Sequence, residues 1–288
     1  NEELPVLALF ERYSTDVINY DTRVSGWLPF TDPIYKNNQA DLYIAKQLLD
    51  GTLKKSATGD GTFHTVYPYP QPPNYDLNLF TTSSLPVGLG NPSYNVMYPP
   101  LFYYLWADAK YVPAVAAGYT LESPPVTVEP TPAPLPEGVV NILTVKLQPG
   151  MKWSDGSALT AKDLVGTYNI YWAQNNSVWT YLKDVVAVDD TTVEFWIKAA
   201  SPRALRLILR ANQPAPYSVY GKWMDQAANL RAKGEDPKGD AAKALVDDLY
   251  AFKPDTVVAY GPFVLDPASV TEAQLELVKN PTGYNAGK

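Results

Sequence analysis

Apolar and polar positions alternate most cleanly at Leu143, Val145 and Leu147 against Thr144, Lys146 and Gln148, the period-two mark of a half-buried strand. Pro149-Gly150 predicts a turn, Met151-Lys152-Trp153 a run back along the strand, and Asp155-Gly156 a second turn. The pattern then changes to helical spacing at Thr160-Ala161-Lys162-Asp163, where a Thr hydroxyl suits the N-cap and an acid suits the positive helix end. Elsewhere, residues 4–10 form an apolar run sized for a buried strand. Leu42, Ile44, Ala45, Leu48 and Leu49 share a helical face that ends at Gly51. Polar residues 54–62 read as a connector, Phe63 restarts a strand pattern, and the aromatic segment after Pro99-Pro100 predicts a helix. Six prolines within residues 123–138 exclude a central strand or helix there and predict a surface excursion between two strands. Residues 185–199 read as a hairpin about Asp189-Asp190, and Ser201-Pro202 opens a short helix. Residues 222–251 hold two helices split by 233–240, and the last thirty residues return to strand pattern. Strands and helices intermingle without strict βαβ order, so the fold class is mixed α/β (α+β).

Composition narrows the chemistry. The 288 residues, 46% hydrophobic, are ample for a core, and a net charge of −7 without a basic stripe argues against nucleic acid. No window approaches the ~18 apolar residues of a membrane span. The chain opens on Asn1-Glu2-Glu3, so a signal peptide or lipid anchor is expected to lie outside it. With no cysteine and one histidine, His64, neither a metal nor any other cofactor is expected, and no Ser-His-Asp arrangement stands out. The 21 Tyr and 7 Trp supply rigid faces with polar tips, suited to packing and equally to contact with peptides or sugars.

Residues 147–164 resemble the pattern L-x-x-G-x-x-x-x-D-G-x-x-L-T-A-x-D-V of extracellular solute-binding proteins of ABC importers, family 5, the oligopeptide- and dipeptide-binding type. Leu147, Gly150, Asp155-Gly156, Leu159-Thr160-Ala161 and Asp163 fill it, with Leu164 where Val is usual. Residues 259–286 resemble that family's G-T-G-P-Y and N-P-x-Y-W region, with Tyr260 in place of Thr and Asn285 in place of Trp. Residues 111–122 resemble another of its stretches, with Tyr119 replacing Trp. The resemblance implies a binding-protein lobe of mixed sheet, flanking helices and hairpins, extracytoplasmic, monomeric, and non-enzymatic. Its partner would be an ABC permease and its solute a peptide or oligosaccharide (metal chelates occur among relatives). It also implies a cleft edge built from loops and aromatics: Tyr260 and Phe263 first, then Tyr75, Asn78, Tyr94, Tyr98 and Tyr217.

Segment order departs from the family. Residues 1–53 resemble its carboxyl-terminal part yet precede residues 63–288, which resemble its amino-terminal part and stop where a second lobe would begin. One lobe whose two halves are joined through residues 54–62 accounts for both, as an engineered rearrangement (the favoured reading) or a natural tandem fragment. Such a lobe alone is expected to bind weakly or not at all. The alternatives are a carbohydrate-active enzyme, for which Asp155, Asp163, Asp184 and Glu194 offer no convincing pair, and an oligosaccharide-binding surface module.

Overall fold

The computed structural model describes residues 24–29, 31, 47, 50–55, 57, 76–81, 84, 96–105, 108–122, 135–211, 214–271 and 274–286. At its centre is an antiparallel sheet in the order β5 (Ala116–Glu122), β6 (Asn141–Leu147), β8 (Thr192–Ile197), β7 (Leu182–Ala187). The alternation in β6 sets its faces: Leu143, Val145 and Leu147 are buried, and Leu143 and Val145 stand opposite Phe195 and Val193 of β8 on the inner side. The Pro-rich residues lead from β5 to β6, two paired strands as expected; 123–134 themselves lie outside the described residues.

Helix α1 (Ala161–Ala173) lies on that inner face, and its Tyr168 ring meets Phe195 edge-on at 5.0 Å. Its other side carries α3 (Tyr217–Ala232) and α4 (Asp240–Ala251). A helix covered on both sides cannot be amphipathic, and ten of its thirteen residues are buried. Close approach of α1 and α3 depends on Gly166, whose absent Cβ would lie 2.4 Å from Met224 Sδ. Because Met is flexible, Gly166→Ala should cost only about 1–2 kcal/mol, measurable by urea unfolding.

The start of α1 is a complete capping box. The Thr160 hydroxyl accepts from Lys162 N at 3.3 Å, while Asp163 Oδ2 accepts from Thr160 N at 2.7 Å. Thr160→Ala is expected to cost about 1 kcal/mol and to leave solute binding unchanged; equal stability with lost binding would contradict this. Ser201 caps the short α2 (Pro202–Arg206) as predicted, and a π-helical turn, Leu207–Ala211, continues it. The β7–β8 hairpin, the α3/α4 pair, and a terminal hairpin of β9 (Phe263–Asp266) with β10 (Glu276–Lys279) also follow the sequence pattern.

Three expectations are corrected. The segment after Pro99-Pro100 is not helical: Phe102–Leu105 is β3, paired with β4 (Lys110–Pro113) through a turn at Ala109 with φ 48°. Proline can begin a helix, but here cross-strand aromatic pairing prevails, with the directly opposed Tyr104 and Tyr111 rings 4.8 Å apart. Met151–Trp153 does not pair with β6, whose two edges are occupied by β5 and β8. It folds onto residues 157–159 instead, with Trp153 N donating to Ser157 O and Leu159 N to Met151 O, both at 2.9 Å. Lys54 and Lys55 are not pure connector but form β2, antiparallel to β1 (Val24–Ser25). Gly51, at φ 68°, turns the chain after Gln47, with Thr52 N donating to Gln47 O at 2.9 Å, while Leu42, Ile44, Ala45, Leu48 and Leu49 of the expected helical face lie outside the described residues. The strands expected at 4–10 and from Phe63 lie outside the described residues.

Candidate solute-binding site

The candidate residues are best placed by starting from a buried carboxylate between α1 and α3. Asp163 is 2% exposed and accepts four hydrogen bonds: Trp153 Nε1 at 3.2 Å, Thr160 N at 2.7 Å, Thr160 Oγ1 at 3.2 Å and Tyr217 N at 2.8 Å. It therefore caps its own helix and also α3, whose N-cap, Pro216, offers no side-chain acceptor. Thr167 repeats the link one turn on, donating to Asp163 O at 2.7 Å and accepting from Ala215 N at 2.8 Å. Burial raises the Asp163 pKa in opposition to its donors.

From Trp153 the path runs through aromatic rings. Trp153 meets Tyr260 at 5.1 Å and Tyr260 meets Tyr98 at 5.7 Å, both edge-on. The Tyr260 hydroxyl donates to Pro99 O at 2.5 Å, and the Tyr98 hydroxyl to Val258 O at 2.9 Å. Tyr98 then faces a small recess of about 10 Å³, bordered also by Leu77, Leu79, Pro216, Val219 and Val257.

Of the seven predicted residues, Tyr98 alone among those described borders this recess, and the other described ones take different places. Tyr98 lines it. Tyr260 has no exposed surface; with its ring packed and its hydroxyl bound, it supports Tyr98 from behind, and its expected contact with solute is corrected to a packing role. Asn78 is likewise fully buried. Its Nδ2 donates to Leu249 O at 2.7 Å and Phe252 O at 3.2 Å, so it caps the carboxyl end of α4 and fixes the loop carrying Leu77 and Leu79. Tyr217, partly exposed at the first turn of α3, donates to Asp225 Oδ2 at 2.5 Å under Lys162 Nζ, 3.5 Å from its ring centroid. Phe263 stands apart, half-buried at the start of β9. Tyr75 and Tyr94 lie outside the described residues.

Sequence reading missed Tyr220 and Asn280. The Tyr220 hydroxyl accepts from Leu79 N at 2.9 Å across the recess, and burial raises its pKa. Asn280, fully buried, donates through Nδ2 to Ala259 O at 3.2 Å and Gly261 O at 2.9 Å, lacing the segment behind Tyr260. Neither is marked by periodicity; Asn280 could have been found only by asking what the Asn of the N-P-x-Y stretch bonds to.

The acids weighed for catalysis are each engaged in holding the fold. Asp155 accepts from Ser157 and Ser218, Asp184 pairs with Arg231, and Glu194 accepts from Trp196 Nε1 at 2.9 Å. Burial raises the Asp155 pKa, but the Ser157 and Ser218 hydrogen bonds more than offset it, leaving it lowered. A lowered folded pKa gives stability that is complete above the unfolded value of about 3.9 and is lost as pH falls through the folded pKa. Ser218→Ala should raise the Asp155 pKa and shrink that loss, read by carboxyl-carbon NMR titration and melts between about pH 2 and 5. Among the described residues, no group of three His, Asp or Glu could hold a metal ion, and no helix is long and apolar enough to cross a membrane.

Residues 140–288, just over half of the chain, match the profile of the bacterial extracellular solute-binding proteins, family 5 Middle. Similar solved structures include a periplasmic oligopeptide-binding protein of Thermotoga maritima with bound mannohexaose (19% identity, TM-score 0.47, 67% of this chain and 30% of that one). Another is AppA of Bacillus subtilis in complex with a nonapeptide (18% identity, TM-score 0.48, 75% and 36%). A third is CtaP of Listeria monocytogenes, an ABC transporter substrate-binding protein (24% identity, TM-score 0.45, 77% and 37%). This chain spans about a third of the length of these structures, and no curated protein matches it. Carrying the 147–164 motif within the matched span, the chain belongs to the bacterial extracellular solute-binding proteins, family 5.

Proposed function

We propose that this chain is one lobe of an extracytoplasmic solute-binding protein serving an ABC importer, with an oligopeptide or oligosaccharide as solute. The family match over residues 140–288 carries the reading. The recess beside Tyr98 is this lobe's contribution, a small hollow of mixed character whose walls Tyr260, Asn78 and Tyr220 hold in place, with Tyr217 and Phe263 proposed as separate aromatic contacts. With room for about one water molecule, it offers a solute a shallow contact, so most of the binding energy comes from a second lobe closing over the solute. The hydrogen bonds and ion pairs that engage Asp155, Asp163, Asp184 and Glu194 favour capture over hydrolysis.

Residues 1–53 and 63–288 form this lobe together, in an order rearranged from that of the family. Support comes from Asp50, whose charge, after burial, is the next influence raising the pKa of Tyr103 and also contributes at Tyr284. Asp50 thus lies near residues of the later segment. Mass spectrometry of solutes that co-purify with a two-lobed relative carrying this lobe identifies the solute. Filling the recess there with Val219→Trp should weaken that solute's binding by about tenfold or more, some 1.4 kcal/mol, without loss of folding. Unchanged affinity would remove the recess from the site.

A further inference from the structure

An open sheet has two edge strands, and the two of the central sheet differ in what they show to solvent. β7 carries the usual guards of an edge: Lys183 exposed within it, a register irregularity between Leu182 and Asp184, and Arg231 reaching from α3 to Asp184. β5 holds no lysine, arginine or proline, and among the described residues it pairs with β6 alone. Its irregularity lies at its start, between Ala116 and Gly118; from there Gly118–Glu122 runs in regular register against Lys146 to Ile142 of β6. Tyr119 and Leu121 stand on the core side, opposite Val145 and Leu143, yet are 39% and 42% exposed. Phe102 at 5.2 Å and Tyr111 at 6.0 Å meet the Tyr119 ring edge-on and fix its place. The other face of the strand shows Gly118, Thr120 and Glu122, and nothing lies within 4 Å of the Cβ that Gly118 lacks. Lys146 stands across from Gly118; it and Glu122 are exposed, and among the described residues no ion pair holds either.

We propose that β5 is an interface for a second copy of this chain, the two strands pairing antiparallel about a twofold axis at Thr120 and joining two four-stranded sheets into one. In that register Tyr119 lies opposite the partner's Leu121, and Leu121 opposite the partner's Tyr119, so both exposed apolar pairs are covered. On the other face Thr120 meets its own copy, and Glu122 lies opposite the partner's Gly118. With no side chain there, the Glu122 carboxylate is free to reach the partner's Lys146 on the next strand, two strand spacings or about 10 Å away. A one-residue slip would turn the partner's Tyr119 and Leu121 to the polar face and lose both features. The pairing goes beyond the solute-binding reading and departs from the monomer that the family resemblance implies. Gly118–Glu122 on each side is a short contact, so the association is weak and reversible.

Sedimentation equilibrium of the full chain tests this. Between about 1 μM and 1 mM the mass should rise from one copy to two, with a Kd of roughly 10–100 μM. Amide hydrogen exchange within residues 118–122 should slow in step with concentration. Leu121→Lys, which sets a charge where the partner's Tyr119 must pack, should abolish association over this range. Glu122→Lys or Lys146→Glu alone should weaken it roughly tenfold, because two symmetry-related pairs turn repulsive. The two substitutions together should restore it to within about twofold, a rescue that a merely structural role of either residue does not give. A chain that stays single at about 1 mM overturns the proposal and leaves this edge to an extended segment of another protein. A dimer without slowed exchange at 118–122, or a double variant that stays as weak as the single ones, overturns it equally. If Leu121→Lys does not fold, the charge exchange decides. Solute titration of the two-lobed relative reads the recess separately, so the two proposals fail independently.

Discussion

Replacing Asp163 with alanine lowers stability by roughly 3–5 kcal/mol, the largest loss expected from any single polar substitution here. The reason is its donors. Trp153 Nε1, Thr160 N and Tyr217 N all point at this carboxylate, and removing it leaves them unsatisfied between helices that exclude water. Asp163→Asn should lose less, because one oxygen remains for Trp153 and Tyr217, while its amide nitrogen opposes Thr160 N. The two substitutions also separate by pH. Burial raises the folded pKa of Asp163, so its titration favours folding below the unfolded value of about 3.9 and loses that contribution as pH rises through the folded pKa. That slope disappears in both variants. Urea unfolding at several pH values, followed by tryptophan fluorescence, reads both effects; a loss below about 1 kcal/mol for Asp163→Ala would show that the helices do not depend on this cap.

Gly261→Ala should be comparably severe, costing about 3 kcal/mol or more, or preventing folding. A Cβ there would lie 1.9 Å from Val96 O, backbone that cannot yield by a rotamer change. Gly261 N donates to Met97 O at 2.8 Å, Asn280 Nδ2 reaches Gly261 O at 2.9 Å, and Tyr284 N donates to Tyr260 O at 2.7 Å. Any shift at Gly261 therefore spreads through three strands of chain and moves Tyr98 at the recess. Gly150 is the contrast. It too belongs to a family motif, but nothing lies within 4 Å of its missing Cβ, and its φ of 74° is the only obstacle. Gly150→Ala should cost about 1–2 kcal/mol and spare binding. Thermal melts of the two variants side by side test the distinction, and equal losses would contradict it.

These two positions show what was legible in the sequence. The strand alternation of β6, the Thr160–Asp163 box and the Ser201-Pro202 cap were readable because each is a local rule expressed within a few residues. The aromatic segment at 102–105 was misread because proline's local preference for helix starts gave way to pairing with residues 110–113, a partner no short window contains. The candidate site divided the same way. Exposure was not readable: Tyr98 and Tyr260 look alike in sequence, and only packing against Trp153 shows that one lines the recess and the other supports it. Asp163 was legible as an N3 acid and illegible as the cap of α3, since that bond spans 54 residues.

The central claim is that this chain is half of a clamp, able to fold but not to hold its solute tightly. Its most direct test is calorimetric titration of the isolated chain with the solute found on the two-lobed relative. The claim predicts a Kd well above micromolar. A Kd of about 1 μM or tighter, −8 kcal/mol or better, would contradict it, because binding of that strength would mean a complete site within this chain.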